Sequence, residues 1–123
     1  MAESTRWKDI YTHLKKAGFD VYSPAQHKGE CTSPYVVVRD AGTSPYQQFT
    51  STVTVYEVLC YVPENRYSTL GDYVETVKVA MRGLWPMITP LNYETPPFFE
   101  DAVKAHMTAI QYQNVRYAPK GGK

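Results

Sequence analysis

The run from Ser51 to Val62 constrains this chain more than any other segment. It is dense in β-branched residues, has no Gly or Pro, and so reads as a strand. Alternation places Val53, Val55, Leu59 and Tyr61 on one face and Tyr56, Val58, Cys60 and Val62 on the other. Both faces are apolar. A strand of that kind belongs inside a sheet that is covered on both sides over part of its length. A helix can cover one face and a neighbouring copy the other. Pro63 ends the run, because it has no N–H to donate to the ladder.

Two amphipathic helices flank this strand. Trp7, Ile10, Tyr11, Leu14 and Ala17 recur at helical spacing, with Lys8, Asp9, Thr12, Lys15 and Lys16 largely opposite. The spacing predicts a helix over residues 4–17, with Ser4 or Thr5 as N-cap and Gly18 as the left-handed residue that closes it. Ser68 reads as the N-cap of a second helix, whose stripe is Leu70, Tyr73, Val74, Val77, Met81 and Leu84; Gly83 and Pro86 stop it. Between the first helix and the central strand lie a short extended piece (Phe19 to Tyr22), a polar loop through Pro34, and a strand from Tyr35 to Arg39. Asp40-Ala41-Gly42 reads as a turn, and residues 42–50 as a polar loop. Four prolines between 86 and 97 allow at most a short edge strand near Ile88 and Leu91, and Phe98 and Phe99 read as an anchor. Residues 103–117 suit a helix or a long strand, and the alternation from Ile110 to Tyr117 favours the strand.

The resulting order is α, β, β, β, α, β, β. It predicts an α+β fold, a two-layer sandwich with an antiparallel or mixed sheet and both helices on one face. Length and the lack of a linker predict a single domain over residues 1–118, and residues 119–123 (Pro-Lys-Gly-Gly-Lys) read as a flexible tail. Thirteen basic and twelve acidic residues nearly cancel, which argues against a strong general grip on nucleic acid. No signal peptide or membrane-spanning apolar run is visible, and two cysteines are too few for a disulfide scaffold; this reads as a cytoplasmic protein with reduced thiols. Eleven tyrosines suit either strands or half-buried contacts between subunits.

Candidate chemistry is sparse. His27, Glu30 and Cys31 lack the further ligands a zinc site needs, so no metal or cofactor is expected. A Cys31–His27 nucleophile and base would need a contact that a sequence does not display. No carboxylates pair closely, and no Gly-rich loop cradles phosphate. Catalytic residues are therefore expected to be none. Two features point instead to a surface. Tyr46, Gln47, Gln48 and Phe49 set two aromatics in a polar loop, where they either await a partner or fold back onto their own sheet. Glu57 stands mid-strand among apolar residues; it faces a partner subunit, pairs with a basic residue, or lies on an exposed sheet face.

Several stretches together resemble the small tail-terminator and tail-completion (head–tail joining) proteins of tailed bacteriophages and prophages. They are Asp9-Ile10 with Leu14, Gly18-Phe19-Asp20-Val21-Tyr22, Gln26-x-x-Gly29-Glu30-Cys31 leading to Tyr35-Val36-Val37-Val38, and Tyr61-Val62-Pro63 leading to Tyr67 and the second helix. The resemblance covers about residues 5–85. It implies a non-enzymatic virion protein, assembled from the host cytoplasm into the tail. Such a protein forms a ring, commonly a hexamer, that caps the tail tube and joins it to the head connector. DNA passes through the lumen without specific binding, and no membrane is involved. On that analogy Tyr46, Gln47, Gln48, Phe49 and Glu57 would face a neighbour or the lumen. A connector-side stopper or another minor tail component fits the same residues. From other classes, a small nucleic-acid-binding regulatory module would need a clustered basic surface, and a thiol hydrolase would need Cys31.

Overall fold

The fold is an α+β sandwich, seen in a computed structural model that describes residues 2–27, 29–45 and 51–117. Helix α1 (Ala2–Lys16) leads to β1 (Val21–Tyr22), β2 (Tyr35–Pro45) and β3 (Ser51–Pro63). Helix α2 (Leu70–Met81) follows, then β4 (Thr89–Glu94), β5 (Phe98–Glu100) and β6 (Ala105–Tyr117). The six strands form one mixed sheet in the order β1-β2-β3-β6-β4, with β5 also pairing β6. Only the β1–β2 pair is parallel.

The central strand is covered as its alternation requires. Tyr56, Val58, Cys60 and Val62 are wholly buried beneath both helices, packed with Ile10 and Leu14 of α1 and Leu70, Val74, Val77 and Met81 of α2. Burying each such side chain contributes about 1.5–3 kcal/mol. Helix α1 ends in a Schellman arrangement: Gly18 sits at φ 100° and donates to the Lys15 carbonyl, and Phe19 N–H donates to Leu14. Phe19 then meets the edge of Tyr73 on α2, which ties the two helices together. His13 reaches across as well, its Nε2 lying 2.6 Å from the Ala80 carbonyl.

Three local expectations are corrected. Asp40-Ala41-Gly42 is a β-bulge rather than a turn: pairing with β3 slips between Asp40 and Gly42, Gly42 takes φ 118°, and β2 runs on to Pro45. Glycine's tolerance of positive φ serves both conformations, so the tripeptide alone does not distinguish them. Ser68 does not cap α2. A 3-10 segment, Glu64–Thr69, runs into the helix, and Thr69, already right-handed, makes no side-chain cap bond. Phe98 and Phe99 are no anchor, being 54% and 36% exposed. Strand β5 is three residues long and pairs with β6 at the sheet's margin. Residues 105–117 form the strand that their alternation favours; Lys104 at φ 53° closes the turn before it.

Both margins of the sheet are blunted against further pairing. Strand β1 covers only Val36 and Val37 of β2, Trp7 Nε1 donates to the Val38 carbonyl at 2.8 Å, and beyond it lie Arg39, Asp40, the bulge and Pro45. At the other margin β4 holds Pro90 and Asn92 at φ 58°, and Pro96 and Pro97 separate it from β5. Charge, bulges and proline are the usual devices that stop edge-to-edge association.

Candidate interaction surface

The sheet face opposite the helices is divided. Over its first half the chain covers itself. The loop after β1 folds across the sheet and is fastened where Cys31 N–H donates to the Val103 carbonyl at 2.7 Å. Beneath it, Cys31, Tyr35, Val37, Leu59, Ala105 and Ala109 form a second, smaller core. Aromatic rings build its outer wall. His27 stacks on Tyr35 at 3.9 Å between centroids, Tyr35 stacks on Tyr61 at 4.6 Å, and Tyr22 meets His27 and Tyr35 edge-on. These tyrosines follow the alternation of β2 and β3, so the stack is written in the strand register.

Neither cysteine has the surroundings of an activated nucleophile. Nucleophilic cysteines carry a lowered pKa, whereas burial pushes the Cys31 thiol up. Its Sγ–H donates to the Ser33 carbonyl at 3.3 Å, and His27 is turned towards the tyrosines. Burial likewise drives the Cys60 thiol upward. Among the described residues no group of three His, Cys, Asp or Glu side chains is placed to hold a metal ion.

The second half of this face carries no such cover among the described residues. Arg39, Val53, Val55, Glu57, Gln111, Gln113 and Val115 share it, by the register of β2, β3 and β6. Glu57 lies at its centre, 8% exposed. Its carboxylate accepts from the Arg39 guanidinium on one side and from Gln111 Nε2, at 3.0 Å, on the other. The three side chains form a polar bar across β2, β3 and β6, bordered by the half-buried Val53, Val55 and Val115. Of the three placements the sequence allows for Glu57, pairing with a basic residue is present within the chain. Tyr46, Gln47, Gln48 and Phe49 lie outside the described residues.

Sequence reasoning missed a second concave feature, a cleft of about 570 Å³ between α2 and β4. Met81, Ile88, Ile110 and Tyr112 are buried residues of its lining. Trp85 and Tyr93, 67% and 52% exposed, stand at its margin, with Lys78, Arg82 and Glu94 adding charge. The Glu94 carboxylate pairs with Lys78 and, together with Glu75, holds its ammonium pKa above the ordinary lysine range. The cleft lies where the pairing of β4 is broken, five residues of β4, Pro90 to Glu94, spanning three of β6, Tyr112 to Ile110. The sequence signal was Trp85 and Tyr93 set among prolines, where apolar rings follow no helical or strand periodicity. A further exposed aromatic group, Tyr67 and Phe99 around His106, sits beside β5.

No protein-family model matches the chain, and no curated protein matches it in sequence.

Proposed function

We propose that this chain is a structural subunit of a tailed phage or prophage: a tail terminator that associates with copies of itself into a ring, caps the tail tube and meets the head connector. Self-association is carried by one observation, the divided second face of the sheet. Half of it is closed by the chain's own loop. The other half leaves a valine-bordered Arg39–Glu57–Gln111 bar with no cover among the described residues. A ring needs two different patches that meet head to tail. This half-face is one, and the aromatic-rimmed cleft beyond β6 is a different one. The blunted margins favour association through faces over strand pairing. The assignment to phage tails rests on the sequence resemblance. Near-neutral charge suits a lumen through which DNA slides. Each contact between neighbours needs at least about 1,000 Å² of buried surface to be stable.

The deciding experiment incubates the purified protein with polymerising tail tubes and images their ends. Added density at one end and tubes of arrested length are expected. Tubes that keep lengthening with bare ends would refute the terminator assignment.

A further inference from the structure

An aromatic corner beside β5 takes no part in the surfaces assigned above. His106 is set between two rings: Tyr67 lies 4.8 Å away with its plane inclined by 66°, and Phe99 lies 5.2 Å away inclined by 56°. Rings inclined in this way form an open corner rather than a flat stack, and Tyr67 and Phe99 are 54% and 36% exposed. Next to the corner, along the first turns of α2, is a hollow of about 330 Å³ lined by Tyr67 and Pro97 and by the buried Leu70, Val74 and Thr108. Its two charged lining residues are both carboxylates, Glu75 and Glu94. We infer that corner and hollow together dock an arginine side chain of a partner protein. This is a third surface, and it stands whether or not the chain forms a ring.

The site is held in place before anything binds. The Thr95 N–H donates to the Ala109 carbonyl at 2.9 Å, and Thr95 Oγ1 accepts from the Ala109 N–H at 3.0 Å. Three residues on, β5 pairs Phe99 with His106. Pro96 and Pro97, each with φ fixed by its ring, bridge these two anchors. On the other side, His106 Nε2–H donates to the Glu64 carbonyl at 3.2 Å, which ties the imidazole to the 3-10 segment that carries Tyr67. A site so fixed loses little freedom when a ligand arrives.

Its chemistry selects a guanidinium. Lys78 pairs with Glu75, at 3.4 Å, and with Glu94, so two carboxylates face one ammonium and one negative charge is left over. Lys78 itself lines the α2–β4 cleft and not this hollow, although Glu94 borders both. The Glu75 side chain is 65% exposed, open to an arriving cation. Glu64 and Arg66, exposed on the 3-10 segment, offset each other. Aromatic faces attract cations, and arginine most often of the side chains. The guanidinium is planar and weakly hydrated, stacks on rings and meets carboxylates through paired hydrogen bonds, whereas the lysine ammonium is compact and strongly hydrated. The hollow is at the small end of the range for ligand sites, about 300–1,000 Å³, which suits a single long side chain.

The test titrates the full-length protein with the blocked peptide Ac-Gly-Arg-Gly-NH2 and follows the ring signals of Tyr67, Phe99 and His106 by NMR, with the Trp85 indole as the reporter of the cleft. Ac-Gly-citrulline-Gly-NH2, which keeps the shape of arginine without its charge, is the comparison. Saturable shifts of the three rings by the arginine peptide are expected, with the citrulline peptide at least about fivefold weaker for want of the charge-assisted contacts. Tyr67→Leu and Phe99→Leu keep an apolar side chain and remove the π face, and each should weaken binding about two- to fivefold. Phe98→Leu, on the neighbouring exposed ring, should leave it unchanged. Should Tyr67→Leu fold poorly, Phe99→Leu carries the comparison alone. Equal binding of the two peptides, shifts centred on Trp85, or no shifts up to the solubility limit of the arginine peptide would each overturn the assignment. None of these outcomes bears on self-association, which sedimentation reads separately.

Discussion

Replacing Gly83 by alanine tests how α1 and α2 are locked together. Gly83 lies in the 3-10 turn that carries the chain from α2 to Trp85 at the mouth of the cleft. By chain entropy alone, Gly→Ala at a compatible position stabilises by about 0.4–1 kcal/mol. The structure reverses that sign. A Cβ at Gly83 would lie 2.7 Å from Cε1 and 2.9 Å from Nε2 of His13, closer than real contacts allow. The imidazole is not free to swing aside, because its Nε2 is also bonded to the Ala80 carbonyl. Overpacking of this kind costs about 1–3 kcal/mol. Set against the entropic gain, Gly83→Ala should destabilise by about 1–2 kcal/mol, or about 4–8 °C in melting temperature for a domain of this size. Urea titration of the wild type, Gly83→Ala, His13→Ala and the double variant gives the coupling directly. In the His13→Ala background the clash is gone, and Gly83→Ala should become neutral or stabilising. A Gly83→Ala protein more stable than wild type, or an equal loss in both backgrounds, would refute the reasoning.

Three further outcomes follow from the burial pattern. Val58 is fully enclosed at the centre of β3, so Val58→Asp buries an unpaired charge and should abolish cooperative unfolding; a soluble variant with a normal melting transition would contradict the strand's placement. Burial raises the phenol pKa of Tyr35, Tyr61, Tyr73 and Tyr112 in the folded chain. Raised folded values mean that this stability is fully present below the unfolded tyrosine pKa of about 10 and is lost as pH rises beyond it. Tyrosinate absorbance should therefore lag behind that of the denatured chain and appear together with loss of fold; smooth titration of all eleven tyrosines at the free value would contradict it. Glu57→Leu should alter stability by less than about 2 kcal/mol, since the Arg39 side chain it leaves behind is 52% exposed and keeps its hydration rather than becoming a buried unpaired charge. The same change should alter self-association if the polar bar is an interface, and sedimentation of the variant beside wild type reads both.

The fold was legible where one periodicity dominated. The helical stripes of α1 and α2 and the two-faced strand β3 each bury a continuous set of side chains, so their patterns carry the packing directly. The bulge after Arg39 was not legible, because Asp-Ala-Gly serves a turn and a bulge equally until the partner strand fixes the register. The start of α2 was missed for a similar reason: Ser68 has the chemistry of a cap, and the preceding 3-10 segment removes the need for one. Glu57 was legible as an anomaly. Its partners were not, since Arg39 and Gln111 are 18 and 54 residues away in the chain and only cross-strand pairing unites them. The cleft was invisible to periodicity altogether, because a break in the pairing of β4 creates it.

Strand β6 carries a consequence for synthesis. It is the last described strand to leave the ribosome, yet it lies between β3 on one side and β4 and β5 on the other. Until it emerges, the nascent chain holds a thirteen-residue β3 with one flank bare, and β4 and β5 have nothing to join. Closure is thus a late, long-range event, of the kind that makes sheets slow to complete. During that interval the bare flank is open to pairing with other nascent chains.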